Sequence, residues 1–136
     1  MPMTPVPVTL AAAGACVLLN IWLGARIAAH RRDFKVSVGD GGHDPLLRRM
    51  RAQGNFIEHA PFFLILLGAL ELSGANRLIL GIIATIFILA RVAHGIGMDE
   101  GADRRWRAYG MMASALMNVL LALWALFCAA ELCLSR

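Results

Sequence analysis

The chain has 136 residues, of which 59% are hydrophobic and 16% are charged. A soluble domain carries about 25% charged residues, so a soluble helical bundle is a poor reading. The net charge of +4 sits at the ends of apolar runs, with no separate basic domain, which argues against a nucleic-acid partner. The three cysteines, Cys16, Cys128 and Cys133, have neither metal-ligand spacing nor loop positions for a disulfide frame, and read as small packed hydrophobes.

Charge is missing in blocks. Met1 to Ala25, Phe62 to Leu70, Leu78 to Ala90 and Ala108 to Ala130 contain no charged side chain. With their flanks, these blocks approach the ~20 residues that cross a bilayer as a helix. The reading is all-α, an integral membrane four-helix bundle in a single membrane domain over residues 1–136, with helices at about 6–32, 45–73, 76–99 and 104–134. The first block lacks a basic leader and runs into a basic cluster, so it reads as a retained helix and not as a signal peptide. Asp33 to Asp44 is the one long irregular stretch. Its Gly-Asp-Gly-Gly core favours a turn, and Pro45 suits a helix start. Pro61 falls inside the second helix, cannot donate to the Ile57 carbonyl, and predicts a kink.

The arginines set an orientation. The first connection carries Arg26, Arg31, Arg32, Lys35, Arg48, Arg49 and Arg51, and the third carries Arg104, Arg105 and Arg107. The second has Arg77, and the termini on its side add only Arg136. Positive residues stay in the cytoplasm. The first and third connections are therefore expected in the cytoplasm of a bacterial inner-membrane protein, with both termini periplasmic.

Three polar clusters meet the apolar runs at the arginine-rich end. In the segment RAQGNFIEHAP, Arg51, Asn55 and Glu58 are spaced by four and three residues and share one helical face. Glu58 lies roughly 10 Å beyond Arg51 along the axis, inside the hydrocarbon boundary. An acid there costs on the order of 3 kcal/mol and marks a functional site; an arginine is its expected partner. Arg91 and His94 share a face of the third helix, and Arg104 and Arg107 a face of the fourth. Arg104 and Arg105 suit positive anchoring beside the interfacial Trp106, and Arg107 is the arginine expected to turn inward. With Arg26, the set has more arginines than acids. It suits an anionic ligand bearing carboxylates, which guanidinium holds bidentately, and an apolar co-substrate could arrive from the lipid. One subunit cannot satisfy this set internally, so a partner chain or bound anion is required. No phosphate loop is present, the serines have no base on a matching face, and His59 projects about 100° away from Glu58, which disfavours a metal site.

These motifs carry a resemblance. GDGG followed by Arg51-Ala-Gln-Gly-Asn55-Phe-Ile-Glu58-His-Ala-Pro61, then Arg91-Val-Ala-His94, then Arg107 with Gly110 and Met111, resembles the MAPEG family, the membrane-associated proteins in eicosanoid and glutathione metabolism. The likeness covers nearly the whole chain and is strongest to short bacterial members. It implies a homotrimer in membrane lipid, with glutathione as thiol co-substrate between subunits near the cytoplasmic side. It also implies a glutathione transferase, with peroxide reduction as a related activity, acting on a lipophilic electrophile. Arg107 matches the arginine that stabilises the thiolate. Asn55, Glu58, Arg91 and His94 match glutathione contacts, with Arg51 in a more structural place and Arg26 a looser match. Two positions depart from better-known members: Gly54 stands where several have arginine, and Met98 where several have a tyrosine that acts on the thiol. Tyr109 is the only tyrosine. The departure at Met98 keeps open a non-catalytic membrane protein that retains the fold for ligand binding or assembly.

Overall fold

The computed structural model describes residues 5–134. The remaining positions, including the terminal Arg136 used in the charge count, lie outside the described residues. Four helices follow in order: α1 (Pro7–Phe34), α2 (Asp44–Leu72), α3 (Arg77–Gly97) and α4 (Arg104–Leu134). Each is long and apolar enough to cross a membrane. The expected all-helical architecture with four candidate spans is what the described residues form.

Local chemistry sets the ends. Pro7 opens α1 where its missing N–H is no loss. Lys35 closes the helix in the left-handed region, its N–H on the carbonyls of Arg31 and Arg32. The loop that follows turns on Gly39, Gly41 and Gly42, all at positive φ. The Asn76 side chain caps α3, accepting from the amides of Leu78 at 2.9 Å and Ile79 at 3.2 Å. Pro61 lies inside α2, which continues past it to Leu72.

The helices pack as a bundle in which α1 and α4 lie on opposite sides, each against both α2 and α3, and share no backbone contact with one another among the described residues. The centre is apolar. Phe63 of α2 stacks on Phe87 of α3 with ring centroids 3.8 Å apart, surrounded by Leu67, Leu80 and Leu121. Leu18, Ile65, Leu89 and Leu126 face outward and are exposed. That distribution suits lipid, where the helix backbone must satisfy itself and the outer face need not be polar.

At the end away from the arginine clusters, α1 begins with no side-chain cap of its own. Glu71, in the last turn of α2, supplies one. Its buried carboxylate accepts from the amides of Val8 at 3.1 Å and Thr9 at 2.8 Å, and from the Thr9 hydroxyl at 2.7 Å. These amides are free donors at a positive helix end, so an anion there is doubly favoured. The Arg77 Nε approaches the same carboxylate at 3.6 Å.

At the arginine-rich end, α3 and α4 come together closely over glycines. A Cβ on Gly110 would overlap the Ala90 carbonyl and stand 2.6 Å from the His94 nitrogen. A Cβ on Gly97 would overlap the Arg107 nitrogen. The obstacles are backbone atoms, which cannot step aside as a flexible side chain can. Gly110→Val should therefore destabilise the bundle by on the order of 3 kcal/mol. Gly14→Ala, whose Cβ meets nothing within 4 Å, should stay within about 1 kcal/mol of the parent. Thermal unfolding followed by helical circular dichroism in mild detergent distinguishes the two.

Candidate functional site

The close approach of α3 and α4 creates a buried polar layer. Arg91 is only 2% exposed. Its Nη2 donates to Asn55 Oδ1 of α2 at 2.8 Å, and its Nη1 to Ser114 Oγ of α4 at 3.3 Å. Ser114 passes its own hydrogen to the Gly110 carbonyl at 2.8 Å. The guanidinium carbon stands 5.8 Å from the Phe56 ring centroid. The Nε has no partner, and no carboxylate reaches the group among the described residues. Arginine with Glu58 is the expected pairing, but within the protomer an amide and a hydroxyl hold Arg91 instead. The reason is rotational: Asn55 turns toward α3, whereas Glu58 is exposed on the outside of α2 and makes no ion pair among the described residues.

One turn further along α3, His94 is buried and its Nδ1 lies 3.2 Å from the Arg107 carbonyl oxygen. A carbonyl can only accept, so Nδ1 carries the hydrogen. The Arg107 side chain itself is exposed.

Arg26 is committed elsewhere. It forms an ion pair with Asp99, donates to the Gly95 carbonyl at 3.1 Å, and lies 4.5 Å over the Trp22 ring. Arg49 joins the same Asp99 at 3.1 Å. Asp99 therefore ties α1 and α2 to the α3–α4 connection. It anchors the segment that leads to Arg104 and Arg107.

Two cavities open between α2, α3 and α4. The larger, about 520 Å³, is lined by Asp44, Arg48, Arg51, Asp99, Arg104 and Arg107, among others. The second, about 380 Å³, is lined by Arg51, His94, Met98, Arg107, Ala108, Met111 and Met112. Arg51, Met98 and Arg107 belong to both, so a cationic chamber adjoins an apolar cleft. The acids of the larger cavity are already engaged: Asp44 with Arg48 at 2.7 Å, and Asp99 with Arg26 and Arg49. Arg51, Arg104 and Arg107 have no carboxylate partner among the described residues. Three free guanidinium groups around one chamber favour an anion, and carboxylates suit their planar donors.

Of the residues singled out in the sequence, Arg51, His94 and Arg107 thus meet at one chamber and cleft. Arg91 and Asn55 form the buried layer beneath, Arg26 belongs to the Asp99 joint, and Glu58 lines neither cavity. Sequence reasoning passed over Ser114, Asp99, Arg49 and Arg104 as contributors. The offset of three between Arg104 and Arg107 was a usable signal for Arg104. Nothing in the spacing announced that Asp99 would meet Arg26.

Four apolar spans around a buried arginine layer, with an arginine-lined chamber at one end, define a polytopic helical membrane protein. Residues 9–127 match the MAPEG family, and the chain belongs to that family. It is similar to the inner membrane protein YecN of Escherichia coli strain K12, with 32% identity over 97 residues that cover 69% of this chain and 73% of YecN. YecN of Escherichia coli O6:H1 strain CFT073 matches with the same identity and coverage.

The Arg91 layer makes a test of its own. Asn55→Ala removes the acceptor and strands a buried cationic donor, which should cost about 2–3 kcal/mol. The unfolding midpoint in detergent should fall accordingly, and Ser114→Ala, at the longer contact, should cost less.

Proposed function

We propose that the protein is a glutathione transferase of the bacterial inner membrane, with peroxide reduction as an accompanying activity. It joins the glutathione thiol to a lipophilic electrophile at a subunit interface of a homotrimer. The observation that carries this reading is the chamber bounded by Arg51, Arg104 and Arg107, three arginines without carboxylate partners among the described residues, continuous with an apolar cleft. Glutathione brings two carboxylates and a thiol. Arg51 and Arg104 suit the carboxylates, and Arg107, shared between chamber and cleft, suits the sulfur. A free thiol ionises near pH ~8.5, and an adjacent cation lowers that value. Met111 and Met112 line the cleft with flexible apolar surface, which accommodates electrophiles of varied shape. Holding thiol and electrophile at one boundary adds a proximity term.

Glu58 supports the assembly. It is an exposed carboxylate on a membrane helix with no ion pair among the described residues of its own protomer. A neighbouring subunit's arginine, or the ammonium group of glutathione, relieves the cost of keeping it there. The excess of arginine in the first and third connections supports a chamber at the cytoplasmic face and termini in the periplasm, and the likeness to an inner membrane protein agrees with that membrane.

A second reading has one observation in its favour. Met98 lines both cavities, so the thiol meets a thioether where related proteins offer a tyrosine hydroxyl. On this reading the protein binds its ligand and performs no conjugation. Conjugation of glutathione to a chlorodinitrobenzene by purified protein separates the two. The transferase reading predicts turnover that falls by about 100-fold in Arg107→Ala, the scale of losing one charge-stabilising donor, with glutathione affinity changed much less. An Arg107→Ala rate equal to wild type removes the role given to Arg107. Saturable binding with no turnover favours the second reading.

A further inference from the structure

We infer that His94 is the base that takes the proton from the thiol, through Nε2. The inference rests on the transferase reading and adds a catalytic residue to it. The hydrogen bond between Nδ1 and the Arg107 carbonyl fixes the ring, because the carbonyl has no hydrogen to give. In the neutral imidazole the second nitrogen is then an acceptor with a free lone pair. No hydrogen bond occupies Nε2 among the described residues. His94 lines the cleft together with Arg51, Met98 and Arg107.

The partner of that hydrogen bond matters. The residue whose carbonyl orients the imidazole, Arg107, is the same residue that lines both chamber and cleft. Base and anion stabiliser are set relative to one another through one backbone unit. Met98 cannot accept or deliver a proton, so among the described residues that line the cleft no other side chain suits the transfer. The charged and titratable neighbours of the ring are Arg91 on its own helix, Arg107 from α4 and His59 from α2, with Arg26 of α1 nearby on the Gly95 carbonyl.

The proton balance is simple. The S–H bond breaks, its proton passes to Nε2, and sulfur keeps the electron pair beside Arg107. With a chlorodinitrobenzene, the new S–C bond forms as the C–Cl bond breaks, chloride leaves, and the imidazolium returns its proton to water.

His94→Asn tests the role. The asparagine amide nitrogen can replace Nδ1 as donor to the Arg107 carbonyl, but asparagine offers no base. The variant in detergent should bind glutathione and lose about 100-fold in turnover at neutral pH, the lower end of a general-base contribution. The deficit should close as pH rises past the thiol's own ionisation near ~8.5. Wild-type turnover at neutral pH in a folded His94→Asn protein overturns the inference and leaves the transferase reading standing. Wild-type protein without any turnover removes both. Nitrogen-15 NMR of histidine-labelled wild-type protein gives a readout independent of activity and of the variant's folding: the expected His94 ring carries hydrogen on Nδ1 alone. A ring protonated on Nε2 overturns the inference.

Discussion

The contact between α3 and α4 over Gly97 and Gly110 governs the geometry of the whole arginine-rich end. Because no Cβ stands at either position, the two backbones approach until Arg91 reaches Ser114 and His94 reaches the Arg107 carbonyl. In lipid there is little hydrophobic drive between helices, so small residues and interhelical hydrogen bonds do the holding. One crossing thus determines the depth of the buried guanidinium, the tautomer of the imidazole and the position at which α4 presents Arg107.

The polar chemistry is divided between the two ends of the bundle. At one end, Glu71 is buried with its carboxylate saturated by the start of α1 and approached by Arg77. This contact is a closed joint between α1 and α2. At the other, Asp99 and Asp44 satisfy Arg26, Arg49 and Arg48, and Arg51, Arg104 and Arg107 line a chamber. Part of the excess of positive charge is therefore a local surplus at this chamber. Such a surplus costs stability through repulsion unless an anion arrives, so ligand binding and stability should be coupled.

The membrane architecture was legible in the sequence because its signal is coarse: charge-free blocks of spanning length, separated by arginine clusters. Family membership was legible because three motifs kept their spacing. The partners within the site were less accessible. Helical offsets put Asn55 and Glu58 on one face, but a difference of three residues is still about 60° of rotation. That rotation is enough to send Asn55 to Arg91 and Glu58 to the outside. Glu71 was passed over because an acid at a helix end looks like an ordinary boundary residue; the clue was an α1 start, Val6-Pro7, with no capping side chain. The Asp99 joint depends on how the α3–α4 connection folds back against α1, and no periodicity records that.

The proposed function requires the chamber to hold the carboxylates of a thiol such as glutathione. Isothermal titration of glutathione into purified protein in mild detergent, repeated at rising salt, tests this most directly. The account predicts saturable binding that weakens steadily as chloride screens and competes for Arg51, Arg104 and Arg107. Absence of binding at low salt, or binding indifferent to salt, would contradict it.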